Sequence, residues 1–444
     1  MSQEDQATVC RWVEETMGGR VSHCERQARW RPAYFLDLEK EGNKLSLYFR
    51  GDRGVSNSAQ YALEHEMACL EVLEAEGIPV PHVFGFCSEP RGILMECSPG
   101  QADLSTAGDP QEMAAVQRHY MEILARIHAL DIEPFLAAGL DAPSDPDRLA
   151  LADLPIWETA YRRAKFRPEP LIEFTLGWLK RNVPPPADSA CFVCGDSGQF
   201  LFDKGRVTAV IDLELAHLGD PAEDLGALRN RDLSEPLGDL RPAIAAYEEF
   251  IGRPVDPFLI DFHTVRFAMT TPLATLPVLA QARPGIDLIQ YLCWFHVYSR
   301  APMEVIAQTR GLELALPPLP EGQDNRHSPL YEDLSMRLAP DEGEASFDDY
   351  AQQTAHRTAV YLERLNRYGP ALEADNLDDI NRLLRSGYGT LGEADAALEA
   401  WIDKADAGAD DDLVRLLHRR CVREEVLLEP VLGEFTGARI QSLA

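Results

Sequence analysis

The stretch VTAVIDLELAHLGDPAEDL, Val207 to Leu225, changes its hydrophobic period partway along. Val207, Ala209 and Ile211 alternate with Thr208, Val210 and Asp212, the period of two that marks a strand, so the strand delivers Asp212 at its C-terminal end. Further on, Asp220 reads as a helix N-cap, Pro221 as the first helical residue and Glu223 as the reciprocal partner of the cap, a capping box. Asp220 and Asp224 are assigned to structure on this account. An aspartate that closes an apolar strand is commonly a turn former, but a turn does not require the LELAHLGDP that follows. Glu214 reads equally as a second acid beside Asp212 or as a surface residue.

Just upstream, CFVCGDSGQFLFDKGR, Cys191 to Arg206, reads as a strand, a glycine-rich turn and a second strand that turns at Asp203–Arg206. Cys191 and Cys194 form a Cys-x-x-Cys pair. A structural zinc site needs four ligands, and neither a second such pair nor a close pair of histidines completes one. A thioredoxin-like motif should open a helix, whereas CFVC leads into a turn. Buried, inert thiols are the better reading. His128 in ARIHALD and His217 in ELAHLGD are read as orienting backbone or filling space.

Working outward, KLSLYFR alternates Leu45, Leu47 and Phe49 against Ser46, Tyr48 and Arg50, which sets Arg50 on the face opposite the leucines. YALEHEMACLEVLEAEG follows as a helix, with Glu66 on its apolar stripe and Gly77 as a stop signal. PVPHVFGFC and RGILMEC read as strands before helical text containing LARIHALD. The proline-rich GLELALPPLPEGQDNRHSP, Gly311 to Pro329, is the main break. Beyond it, two amphipathic helical stretches appear, the first expected to close at Gly369.

The bulk numbers restrict the function. The formal charge of −31, from 42 basic and 73 acidic residues, disfavours nucleic acid and anionic membranes, which are bound through cationic contacts. A local cationic cluster could still hold a small anion. No uninterrupted apolar run reaches the ~18 residues needed to cross a bilayer. Nine scattered cysteines argue for reduced thiols, and the N-terminus lacks a signal layout, so the expected location is cytoplasmic.

A strand with a cationic residue, a helix with an inward Glu, the segment ILMECSPG, then LARIHALD, the loop around Asp196 and VIDLELAHLGDPAEDL occur here in one order. That order resembles the aminoglycoside phosphotransferase and choline kinase group over about residues 18–300. The resemblance implies an α+β, protein-kinase-like two-lobed fold with an added C-terminal helical domain. It sets the nucleotide-binding lobe at 1–97, the mainly helical lobe at 98–310, a linker at 311–345 and the helical domain at 346–444. It also implies ATP and Mg²⁺. By the same likeness Arg50 meets the ATP phosphates, Glu66 pairs with it, Met95 and Cys97 line the nucleotide at the hinge segment, and Asp212 holds metal. Phosphoryl transfer is largely positioning and charge neutralisation, which is what such a set supplies.

The loop departs from the family pattern His-Gly-Asp, four residues, Asn. Counted back from Asp212 without gaps, Gln199 takes the Asn position, Cys194 the Asp position and Phe192 the His position. A neutral thiol would not reproduce a carboxylate. If the loop is two residues shorter, Asp196 becomes the acid that orients the acceptor hydroxyl and Cys194 takes the His position. This alignment is preferred, because a Gly-Asp-Ser-Gly turn can present Asp196 outward. Gln199 remains the second metal ligand, its amide oxygen displaced by about one methylene from that of Asn.

The expected activity is ATP- and Mg²⁺-dependent phosphorylation of a small-molecule hydroxyl. VTAVIDLELAHLGDPAEDL looks most like the bacterial kinases associated with acyl-CoA dehydrogenases, which makes a hydroxyacyl-CoA or related catabolic alcohol the first acceptor and an aminoglycoside or amino alcohol the alternative. The competing class is a catalytically degenerate kinase fold acting as a scaffold or binding protein. The added helices are open to three roles: a lid, a homodimer interface or a partner-binding module.

Overall fold

The computed structural model describes residues 3–27, 31–52, 61–143, 149–185, 189–281, 283, 286–340 and 347–443. Helix α1 (Gln3–Met17) precedes strands β1 (Arg20–Arg26), β2 (Ala33–Lys40) and β3 (Asn43–Gly51), helix α2 (Leu63–Ala75), and strands β4 (Val83–Ser88) and β5 (Arg91–Glu96). The strands form one antiparallel sheet in the order β1-β2-β3-β5-β4. Side-chain alternation sorts the two faces. Leu36, Leu38, Leu47, Phe49 and Leu94 pack beneath Val9 and Val13 of α1. Ile93 and Met95 point the other way, into a cluster with Cys69, Leu70 and Leu73 of α2. Arg50 shares that second face, so β3 carries it toward the interior of the molecule.

The remainder, the second lobe, is mainly helical, in line with the expectation from the sequence. It runs through α3 (Pro110–His128), α4 (Glu133–Ala137), α5 (Leu154–Ala164) and α6 (Pro170–Arg181). Short strands β6 (Cys191–Val193), β7 (Phe200–Asp203), β8 (Arg206–Val210) and β9 (His217–Gly219) interrupt the helices. Then come α7 (Ala222–Arg231), α8 (Leu240–Ile251), α9 (Pro257–Leu279) and α10 (Leu288–Thr309). Strands β6 and β9 pair antiparallel, as do β7 and β8. Lys204 and Gly205 make the turn between the latter pair with φ of 48° and 77°, the left-handed pair expected of a tight hairpin.

Helices α11 (Ser328–Leu338), α12 (Phe347–Leu384), α13 (Leu391–Ile402) and α14 (Asp410–Leu428) complete the chain. Helix α11 occupies part of the stretch expected as linker. The region beyond residue 346 is helical, and its described residues share a core with the second lobe. Ile380, Leu398, Leu413 and Leu417 bury into the same cluster as Phe262, Met269 and Val297 of α9 and α10. Gly369 does not close the first of these helices, because α12 continues through Gly369 and Pro370 to Leu384. The local cost is about 1 kcal/mol for Gly and about 3 kcal/mol for Pro. Packing of α12 on α14 on both sides of that point outweighs it, with Ala359, Leu372 and Ile380 all buried. Among the described residues no helix is long and apolar enough to cross a membrane.

Candidate active site

Two cavities flank the segment from Asp196 to Asp212. One, of about 450 Å³, lies between the sheet and the second lobe and is lined by Tyr48, Arg50, Glu66, Met95, Cys97 and Gly100 among others. The other, of about 390 Å³, is lined by Asp196, Glu214, Arg231, Trp157, Tyr298 and Glu434 among others. Gln199, Asp212 and Glu235 line both, so the cavities meet at these three side chains.

On the sheet side, Arg50 Nε donates to Glu66 Oε2 at 2.8 Å, and its Nη2 donates to Asp212 Oδ1. Both partners of the first pair are buried. Strand period and helix stripe bring them together: β3 turns Arg50 away from α1, and the buried stripe of α2 turns Glu66 toward β3. Burial raises the carboxyl pKa of Glu66, opposed by the Arg50 charge. Glu214 accepts from Arg31 and lies 3.5 Å from Arg50 Nη2. Arg31, a side chain only 2% exposed, was not singled out from the sequence. Its signal was slight: one of two arginines in RWRPAY ahead of β2.

Asp212 has φ of 60°, a left-handed conformation that Asp tolerates better than most residues. The strand stops short of the expectation: β8 ends at Val210, and Asp212 follows it by two residues, at the start of the loop that carries Glu214.

The 194–199 loop separates its two candidates. Cys194 is 2% exposed and packs in the core with Phe192 and Leu218, and burial pushes its thiol pKa up. Asp196 lines the second cavity, the one that also holds Tyr298 and Glu434, accepting from Arg231 Nη2 and, at 2.9 Å, from Gln199 Nε2. Burial pushes its carboxyl above the usual carboxylate range, with the Arg231 charge opposing. Gly195 permits this geometry. Its φ is 79°, and a Cβ there would stand 2.1 Å from the Leu215 carbonyl oxygen.

The loop is held from behind. Asp224 accepts from the amides of Cys194 at 2.8 Å and Gly195 at 3.0 Å, and His128 Nε2 stands 3.0 Å from the same carboxylate. The expected reciprocal bonds form one residue ahead of the cap, because α7 starts at Ala222 with Pro221 at its N-cap: Asp220 Oδ1 accepts from Ala222 N at 2.8 Å and Glu223 Oε1 from Asp220 N at 3.2 Å. The other oxygen of Glu223 meets His217 Nε2 at 2.9 Å and Arg266. Burial costs His217 its charge, but Glu223 more than restores it and raises its pKa to about 9. Cys191 Sγ donates to the Gly219 carbonyl at 3.7 Å, inside the β6-β9 pair.

The donor set fits a small hard cation. Asp212 and Glu214 supply carboxylate oxygens and Gln199 an amide oxygen, the chemistry suited to Mg²⁺. The guanidinium groups of Arg50 and Arg31 already stand on those carboxylates as cationic stand-ins.

A model of the phosphotransferase enzyme family matches residues 29–258, just over half of the sequence. The chain belongs to this family. Acyl-CoA dehydrogenase family member 10 of Mus musculus is 28% identical over 206 residues, 44% of this chain and 19% of its own length. Acyl-CoA dehydrogenase family member 11 of Rattus norvegicus is 28% identical over 218 residues, 46% of this chain and 27% of its own. The chain thus spans less than a third of these relatives. A crystal structure of a presumed aminoglycoside phosphotransferase from Ralstonia eutropha superposes with a TM-score of 0.50 at 21% identity, covering 67% of this chain and 95% of that one. That likeness concerns the fold, and with the family match it makes the fold kinase-like. The matched segment ends at residue 258; Phe267, Thr270, Tyr291, Trp294, Tyr298 and Glu434, which line the cavity with Asp196, lie beyond it.

Proposed function

We propose that this phosphotransferase uses ATP and Mg²⁺ to phosphorylate a hydroxyl of a small molecule. The observation that carries the reading is the meeting of two cavities at Gln199, Asp212 and Glu235, with Arg50 and Glu66 on one side and Asp196 on the other. The nucleotide would occupy the sheet-side cavity, against Met95 and Cys97, with its phosphates toward Arg50. Asp212 and Gln199 would hold Mg²⁺, with Glu214 beside them. Bound there, the ion neutralises the charge that develops between the phosphates.

Asp196 accepts the proton of the acceptor hydroxyl. The hydroxyl oxygen then bonds to the γ-phosphorus as the bond to the ADP oxygen breaks. Its raised pKa suits a base that must take a proton and release it afterwards. Arg231 and Gln199 fix the orientation of the carboxylate.

For the acceptor, a hydroxyacyl-CoA or related alcohol is the first reading. The names of the two relatives support it, as does a wall of Trp157, Phe267, Trp294 and Thr271 that suits an apolar carbon chain. An amino alcohol is the second, favoured by the carboxylates of Glu214, Glu235 and Glu434 on the same cavity. ATP consumption across hydroxyacyl-CoAs, amino alcohols and aminoglycosides tests both. Activity with one class, abolished by Asp212→Ala, is expected. A wild-type protein that neither binds Mg-ATP nor turns over any acceptor would leave a kinase-fold binding protein in its place.

A further inference from the structure

The segment after α14 returns to the cavity that holds Asp196: Glu434 lines it, Phe435 packs on a lining residue, and Gln441 bonds to residues flanking another. Phe435 is fully buried and meets Tyr298 edge to face, with ring centroids 6.2 Å apart. Tyr298 lines the acceptor-side cavity, where its pKa is raised to about 12 by burial. Gln441 Nε2 donates to Asp232 Oδ2 and to the Gly238 carbonyl, both at 2.6 Å, and its own carbonyl accepts from Arg229 Nε at 2.7 Å. Arg229 and Asp232 bracket Arg231, the side chain that holds Asp196. Between the two anchors the segment is tied down again: Ile440 N donates to Glu304 Oε2 at 3.0 Å, and Arg300 donates to the Ala438 carbonyl. Glu434, next to the Phe435 anchor, stands at the rim of the same cavity, exposed to solvent.

We propose that residues 434–441 brace the acceptor side of the site. In this reading Glu434 is a specificity-determining residue that accepts an N–H of the acceptor remote from the reacting hydroxyl, and Phe435 and Gln441 are positioning residues. The inference rests on the phosphotransferase reading of that cavity. Residues 434–441 lie outside the family-matched stretch 29–258, although Arg229, Asp232 and Gly238, which Gln441 contacts, lie within it. A carboxylate on a fixed rim accepts from a protonated amine or from a neutral amide N–H alike. Glu434→Gln distinguishes the two, because the amide oxygen still accepts but the charge is gone.

The test uses the full chain, a 3-hydroxyacyl-CoA and ethanolamine as probes, and calorimetric binding in the presence of a non-hydrolysable ATP analogue. Glu434→Ala is expected to weaken binding of the productive probe about fivefold, the size of one hydrogen bond at an open rim. With an amide N–H, Glu434→Gln restores affinity to within about twofold; with an ammonium group it does not. Gln441→Ala is expected to lower kcat more than it raises the acceptor KM and to speed amide exchange in 226–240, with Mg-ATP affinity unchanged. Unaltered probe affinity in Glu434→Ala together with unaltered exchange in Gln441→Ala overturns the proposal, as does a wild type that binds Mg-ATP but neither probe. Absence of Mg-ATP binding instead overturns the kinase reading, while the exchange measurement still reports on the brace.

Discussion

The two cavities that meet at Asp212 are built in opposite ways. The sheet-side cavity draws its charged residues from positions set by regular elements: Arg50 on a strand of period two, Glu66 on the buried stripe of a helix, Asp212 two residues past a strand. The cavity on the other side is assembled from a turn, a helix end, a mid-helix position and a returning segment: Asp196, Arg231, Tyr298 and Glu434 belong to four separate parts of the chain. The first kind of site follows from local periodicity. The second depends on tertiary packing, and so it can differ between proteins that share the first.

The sharpest break of this comparison is at the junction. Asp196→Asn keeps the size of the side chain and one acceptor oxygen for Arg231 and Gln199 but removes the proposed base, so kcat should fall about a hundred- to ten-thousandfold while Mg-ATP affinity stays within about twofold. Cys194→Ser, two residues away, should keep most of the rate. Its cost belongs to stability, about 1–3 kcal/mol for a hydroxyl placed in a site built around a buried thiol. Comparable rate losses in the two variants, read by steady-state kinetics, would mean that the cleft-facing carboxylate is not the base.

On the nucleotide side the effect should be smaller and of a different kind. Glu66→Gln retains an oxygen for Arg50 Nε but removes the charge that balances a buried guanidinium, leaving Asp212 and Glu214 to do so. We expect KM for ATP to rise about tenfold and the unfolding free energy to drop by about 1–3 kcal/mol, with acceptor KM little changed. Denaturant unfolding and separate titration of the two substrates check this. A rise confined to acceptor KM would erase the division between the cavities.

On the proposed acceptor side, Arg231 would work through Asp196. As the proposed base, Asp196 must be deprotonated, so activity should fall as pH drops through its raised pKa. Arg231 opposes that rise. Arg231→Gln should therefore move the acid limb of kcat/KM to higher pH, and Arg231→Lys, which keeps the charge, should move it less. A limb that does not shift in Arg231→Gln would show that the ion pair does not set the base.

What could be read in advance follows the same division. Arg50, Glu66 and Asp212 were legible because strand alternation and helix stripe are local, and their order along the chain carried the rest. Asp196 was legible only as one of two alignments, since nothing in CGDS states which side chain turns inward. The amides of Cys194 and Gly195 needed Asp224, far along the chain, to fix the turn. Arg31, Arg231, Tyr298 and Glu434 left no periodic trace at all. Helix α12 was misjudged at Gly369 for the related reason that tertiary packing overrides a local stop signal.

The smallest effect concerns the scaffold beneath the metal-side loop, where local and tertiary structure coincide. His217 sits two residues beyond Leu215, against which Gly195 packs, and its ring meets Glu223, the capping-box acid. Its folded pKa of about 9 exceeds the unfolded value of about 6.5. A raised pKa of this kind gives stability that is complete below the unfolded value and is lost as pH rises through the folded one. Wild-type protein should therefore lose about 1–3 kcal/mol of unfolding free energy between pH 6.5 and pH 9.5, beyond any general alkaline loss. His217→Gln should be less stable at pH 6.5 and flatter across that window. Glu223, depressed to about 2, acts at the other extreme: its contribution is present above about 4.3 and is lost only as pH falls toward 2. Parallel curves for wild type and His217→Gln between pH 6.5 and 9.5 would mean that His217 is held neutral, and that Arg266 alone balances the capping carboxylate.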